Sequence, residues 1–220
     1  MKSTLLFILS LAYIYPQSNN FNIVSGNSRE IIHASSLWLS GIPMINPMAK
    51  HRLFLETGSS LSLLAKNRYK YPNLDIGMKV TKNLSIINKV YGFKADNEHP
   101  QIMGGGLQYY FGSGDSLDWS ATVQRINLKG LKHFSLSSVF IDLRKWYNLK
   151  SFIFRLGAGS IYFKERTFSN TDVLPAAIKG QINYLGFDFS LPLGTFNLGL
   201  ENQISKSMII STAFIQKEIF

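Results

Sequence analysis

The sequence predicts an all-β chain: an antiparallel up-and-down transmembrane β-barrel of about ten strands behind a short N-terminal segment. Three observations carry that expectation. From His51 onward apolar residues recur at every second position. The connections between these runs are long on one side and tight on the other. Rings make up 13 % of the chain and charged residues only 16 %, which is poor in charge for a domain dissolved in water.

The N-terminal stretch predicts export. Residues 1–20 read as a secretory signal peptide, with Lys2 as the positive start, an apolar run over 5–15, Pro16 as helix breaker and Ser18 near a cleavage point. The apolar run falls short of the roughly 20 residues that a spanning helix needs. No later stretch is long and apolar enough either, so a membrane would have to be crossed by strands. Residues 21–50 form a separate N-terminal segment, expected beneath the barrel on the periplasmic side or as a plug within it, and 51–220 the barrel.

Cysteine is absent, which excludes a disulfide scaffold, a thiolate zinc site and a cysteine nucleophile. The formal charge of +10 is compatible with nucleic acid, anionic lipid or an acidic partner. Export removes nucleic acid from that set. Outer-membrane lipid and lipopolysaccharide remain as the expected counter-charge.

The strands follow in order. Leu74, Ile76, Met78 and Val80 alternate with Asp75, Gly77, Lys79 and Thr81. Leu107, Tyr109 and Phe111 lie opposite Gly106 and Gln108, and Trp119, Ala121 and Val123 opposite Ser120 and Thr122. Phe152, Phe154, Leu156, Ala158 and Tyr162 share one face, with Arg155, Gly157 and Gly159 on the other. Phe196, Leu198 and Leu200 alternate with Asn197, Gly199 and Glu201. Less clean runs cover 52–63, 84–94, 131–142 and 181–191, and 207–220 closes the set. Strands of about 9–11 residues suit a tilted membrane crossing. Long connections at 64–73, 94–100 and 164–179 are expected to face outward. Tight ones at 81–83, 112–116 and 192–195 face the periplasm, and an even strand number puts both termini there. Aromatics near strand ends (Tyr69, Tyr71, Tyr110, Phe111, Trp146, Tyr147, Tyr162, Phe163) would form interfacial girdles.

The chain ends on Phe220. That resembles the terminal aromatic of many bacterial outer-membrane barrels, and implies recognition by the barrel-assembly machinery. Ahead of the first strand stands GIPMINPMA, with Asn46-Pro47 at its centre. This piece resembles the Asn-Pro signature before the barrel of FadL and PorV/PorQ-type proteins, in which the N-terminal segment sits in or under the barrel. The FadL resemblance implies passage of a small or apolar solute; the PorV resemblance implies a secretion or envelope accessory. Both imply a protein of the bacterial outer membrane.

Chemistry is sparse. His33, His51, His99 and His133 have neither a second histidine nor a carboxylate at metal-ligand spacing, so neither metal nor cofactor is expected. His133 shares a face with Ser135 and Ser137, the one place where a lipid hydrolase could be sought. The expectation is a non-enzymatic protein. Gly104-Gly105-Gly106 lacks the Gly-Lys-Ser/Thr ending of a phosphate loop. Glycines 157 and 159 leave lumen space for the N-terminal segment. Glu56, Asp75, Asp118, Asp188 and Glu201, with Lys79 and Arg155, are the expected lumen charges, paired to fill an interior too narrow for an aqueous pore. The alternative is a secreted or periplasmic β-sandwich or barrel that binds a ligand or surface, because alternation alone does not say which face meets water.

Overall fold

The computed structural model describes residues 21, 23, 28–65, 68–113, 116–149, 151–168 and 177–219. The expected signal peptide and Phe220 lie outside them. Among the described residues one helix, α1 (Ser28–Leu39), precedes ten strands: β1 (Leu53–Leu63), β2 (Lys70–Lys79), β3 (Leu84–Gly92), β4 (Gln101–Phe111), β5 (Trp119–Lys129), β6 (Phe134–Asn148), β7 (Ile153–Thr167), β8 (Ala177–Leu193), β9 (Phe196–Ser205) and β10 (Ile209–Ile219). Each strand pairs antiparallel with its chain neighbours, and β1 closes on β10 from Leu53↔Ile219 to Leu63↔Ile209. A single sheet closed on itself is not a sandwich, so the sandwich form of the alternative does not hold; its closed-barrel form shares this topology.

Alternation sets the two faces. Large apolar side chains point outward and stay exposed on β1 through β9, among them Leu61, Ile76, Val90, Met103, Val123, Ile141, Leu156, Leu185 and Leu200. At the short-turn mouth the belt ends in stacked rings: Tyr109–Phe111 at 6.1 Å, Phe111–Trp119 at 6.4 Å and Tyr147–Phe154 at 4.5 Å between centroids. Lys145 Nζ lies 5.5 Å from both the Trp119 and the Tyr147 ring. Tyr69, Tyr71, Tyr110, Trp146 and Phe163, expected in the girdles, face inward and are buried. Their partners are inside the barrel.

What fills the interior is the N-terminal segment. α1 is buried nearly all round, with Ile31, Ile32 and Ala34 to Leu39 enclosed. A helix apolar on every face needs such surroundings. Glu30 sits in its first turn, favoured by the helix dipole. At the other end Ser40 N–H reaches both Ser36 O (3.3 Å) and Leu37 O (3.1 Å), and Pro43 prevents continuation. α1 packs against β6, β7 and β10 at the long-loop mouth, within a core that includes Phe93, Phe134, Phe140, Ile161 and Ile182. Residues 40–49 then run the length of the lumen to the short-turn mouth and lead into β1. Phe21 also lies at the long-loop mouth, against Tyr71, Phe93 and Phe134. Among the described residues the chain thus passes through the middle of the barrel before β1, while the two ends of the strand array meet at the short-turn mouth as an even strand number requires. Ile219 is there; α1 is at the opposite mouth.

Candidate functional site

The lumen and its plug form the candidate site. Around the middle of the barrel, Trp146, Arg155, Asp188 and Glu201 are successive register partners across β6, β7, β8 and β9. Their inward side chains therefore stand in one row. Arg155 Nε donates to Asp188 Oδ2 at 2.7 Å, and its guanidinium lies 5.0 Å from the Trp146 ring centroid. Arg144 sits beside this row and is fully buried. It contacts three carboxylates: Asp142 through Nε (2.9 Å), Asp188 through Nη1, and Glu201 through Nη2 (3.2 Å). Tyr184 OH donates to Asp142 Oδ2 at 2.8 Å. Across the lumen Lys89 Nζ lies 2.5 Å from Asp75 Oδ1. A charge removed from water survives only with such company.

The same side chains hold the plug by its backbone. Glu201 Oε1 accepts from Ile42 N–H (3.0 Å), and Arg155 donates to Ile42 O (2.8 Å) and Pro43 O (3.2 Å). Glu56 Oε2 accepts weakly from Met44 N–H (3.4 Å) and from Gln216 Nε2 (3.0 Å). Tyr110 OH donates to Ile45 O (2.9 Å), and Lys79 Nζ to Pro47 O (2.7 Å) and Ala49 O (2.6 Å). Gln203 Nε2 donates to Ser40 O (2.9 Å). An irregular segment away from water must have its peptide groups satisfied, and here the barrel wall supplies the partners. Side-chain fit is added at both ends. Trp38 stacks on Tyr71 at 4.3 Å and donates to Asn73 Oδ1 at 2.9 Å. Gly77 on β2 admits Ile45, whose side chain occupies the place a Cβ would take.

Of the residues expected in the lumen, Glu56, Asp75, Arg155, Asp188 and Glu201 are buried there. Lys79 reaches the plug at the short-turn mouth. Asp118 is a correction: it shares the parity of Ser120, but β5 begins only at Trp119, so it lies in the connection and accepts from Ser116 Oγ at 3.2 Å. Glycines 157 and 159 are a second correction. The space they leave is taken by Arg144 and by the Tyr184 ring, not by the plug. Asn46 Oδ1 accepts from Met48 N–H at 2.9 Å, a local turn contact, while the Pro47 carbonyl meets Lys79. Asp142, Arg144 and Lys89 are lumen charges that the sequence reading missed.

His33 lies in α1, edge-on to Phe163 at 5.6 Å. Burial, and secondarily Arg29, pushes its imidazole below the ordinary value. His133 falls in the β5–β6 connection, its carbonyl accepting from Phe168 N–H at 2.8 Å, while Ser135 and Ser137 are half-buried on β6. Among the described residues no group of three or more His, Asp or Glu side chains is arranged to hold a metal ion.

No family model matches the chain, and no curated protein does. Solved structures similar to it include the KdgM porin in complex with disordered oligogalacturonate, at 9 % identity and a TM-score of 0.42, covering 76 % of this chain and 99 % of that one. The translocator domain of the autotransporter NalP from Neisseria meningitidis is similar at 10 % identity and a TM-score of 0.44, covering 90 % and 96 %. Ail, the attachment invasion locus protein of Yersinia pestis, is similar at 12 % identity and a TM-score of 0.27, covering 77 % and 98 %. The chains to which this one is similar are outer-membrane β-barrels.

Proposed function

We propose that this chain is a non-enzymatic protein of the bacterial outer membrane, exported by its leader, which works as an envelope or secretion accessory with its lumen closed by residues 28–49. One observation carries the reading. An exposed apolar belt with a rim of stacked rings encircles a wall whose interior is already filled. Exposed apolar surface on nine strands is unsuited to water and suited to lipid. That also weighs against the soluble-barrel alternative. The barrel-assembly machinery and lipopolysaccharide are the proposed partners, the first through Phe220.

Solute passage, which the FadL resemblance through Asn46-Pro47 implies, is the second reading. It is favoured by the way the wall grips peptide groups of the plug, contacts that are all non-covalent and so can be released. A heat-modifiability gel of the outer-membrane fraction, followed by planar-bilayer conductance, tests both. A faster unboiled band with a silent bilayer supports the accessory. A compact band with steady conductance favours passage. Protein found only in the soluble periplasm, with no heat shift, sinks the membrane reading.

A further inference from the structure

Above the apolar belt, β7 and β8 continue toward the long-loop mouth, and their outward faces carry cations. Lys164 and Lys179 are register partners, both exposed. Such pairs stand with Cβ atoms about 5 Å apart, and like charges there are destabilising. Arg166 lies two positions further along the same face. Among the described residues no carboxylate forms a salt bridge with any of the three. Glu165, between two of them in sequence, points inward and accepts from Ile178 N–H at 3.1 Å.

One step lower the outward face turns from charged to hydrogen-bonding. Gln181 Nε2 donates to Ser160 Oγ (2.8 Å) and Asn183 Oδ1 (2.9 Å), and Ser160 Oγ to Asn183 Oδ1 (2.8 Å). From that level downward opens a groove of about 770 Å³ whose upper wall includes Ser160 and Asn183 and whose lower part is lined by Leu143, Ala158, Leu185 and Ile204, with Lys206 beside it. It opens because Ala158 and Ser160 are small, and because β9 stops at Ser205, opposite Tyr184, while β8 runs on unpaired on that side.

From mouth to belt the order is cations, amides with a hydroxyl, then an apolar trough. That is the polarity profile of an amphiphile with a phosphate, a hydroxyl- and amide-bearing sugar, and acyl chains. A phospholipid supplies the first and last but has no sugar for Gln181, Asn183 and Ser160. We propose that this face of β7 and β8 binds a phosphorylated glycolipid of the lipid A type, acyl chain in the groove and phosphate between Lys164 and Lys179. The proposal rests on the outer-membrane reading above and adds a site to it.

The test uses the full chain purified in detergent and first run unboiled. Retention of diphosphoryl lipid A, its dephosphorylated form and phosphatidylglycerol is then compared by native mass spectrometry. The expected result is retention of diphosphoryl lipid A at least about tenfold tighter than the other two. Lys164→Glu with Lys179→Glu should lose that margin, and so should Ala158→Trp, which fills the groove. Arg125→Glu, an outward cation on β5, should keep it. Equal retention of the three lipids overturns the site. So does a double reversal without effect, or an Arg125→Glu loss as large as that of the double reversal. A wild-type chain with no compact band overturns the membrane reading and the site with it; a compact band without lipid preference overturns the site alone.

Discussion

Arg155 joins wall and plug, and its replacement by Leu measures how firmly the lumen is closed. The substitution removes the bonds to Ile42 O and Pro43 O and leaves both carbonyls without the guanidinium donor. It also removes one of the two cations on Asp188; Arg144 remains. Hydrogen bonds to a charged group are each worth about 1.5–3 kcal/mol, so plug docking should weaken by roughly 3–6 kcal/mol. That corresponds to an undocked population higher by on the order of 10² to 10⁴. The chain has no cysteine, so Ser40→Cys places a single thiol at a buried plug position. Maleimide labelling of Ser40→Cys with and without Arg155→Leu then reports the opening. Arg155→Lys should restore part of the protection, because one ammonium cannot reproduce the fork that meets two carbonyls and a carboxylate. If Arg155→Leu labels no faster than its parent while still running as a compact band, the wall does not hold the plug as described.

The remaining expectations concern the same interior. Trp38→Ala empties the stack on Tyr71 and the bond to Asn73 and should cost about 3–5 kcal/mol, read as a lower temperature for loss of the compact band. Arg144→Met leaves Asp142 without its cation, with only the Tyr184 hydroxyl as donor, and weakens the pairing of Asp188 and Glu201; about 3–5 kcal/mol is expected from a buried charge that has lost its ion pair, seen in urea unfolding. Gly77→Leu drives a side chain into Ile45 and should destabilise by about 1–3 kcal/mol, with faster labelling at residue 40. His33 is held neutral more readily in place than when undocked. Undocked, it gains a proton first as pH falls through about 6.5, so docking of α1 should weaken below that pH and be flat above it. Labelling across pH 5–8 checks this, and His33→Asn should remove the slope.

The strands were legible because an apolar outward face and a polar interior impose a clean period of two, as over 74–81 and 196–203. Reading failed where that contrast was lost. In β6, Phe134, Leu136 and Phe140 face α1 while Val139 and Ile141 face outward, so both faces are apolar. Alternation alone ends the run at 142 and leaves out Arg144, whereas β6 continues to Asn148. Inward aromatics such as Tyr71 and Trp146 looked like girdle residues because composition cannot distinguish a ring that packs on a plug from one that meets lipid headgroups. Asp118 has the right parity, but parity does not mark where a strand begins. Gly157 and Gly159 signalled space without saying which neighbour takes it.

A segment that passes through a closed ring of hydrogen-bonded strands cannot leave sideways. The seam that shuts the ring joins the first strand to the last, Leu53↔Ile219 through Leu63↔Ile209, so it forms only after all ten strands exist. Residues 28–49 lead almost directly into one side of that seam. A helix with its side chains is about 10–12 Å across, too wide to be drawn past Arg144, Arg155 and Trp146 once they have found their partners. A formed α1 is therefore in place along β6 and β7 before β1 meets β10, or its residues thread through extended and coil afterwards; on the first route the plug is a template for closure. Defects in it should surface as barrels that close late or not at all.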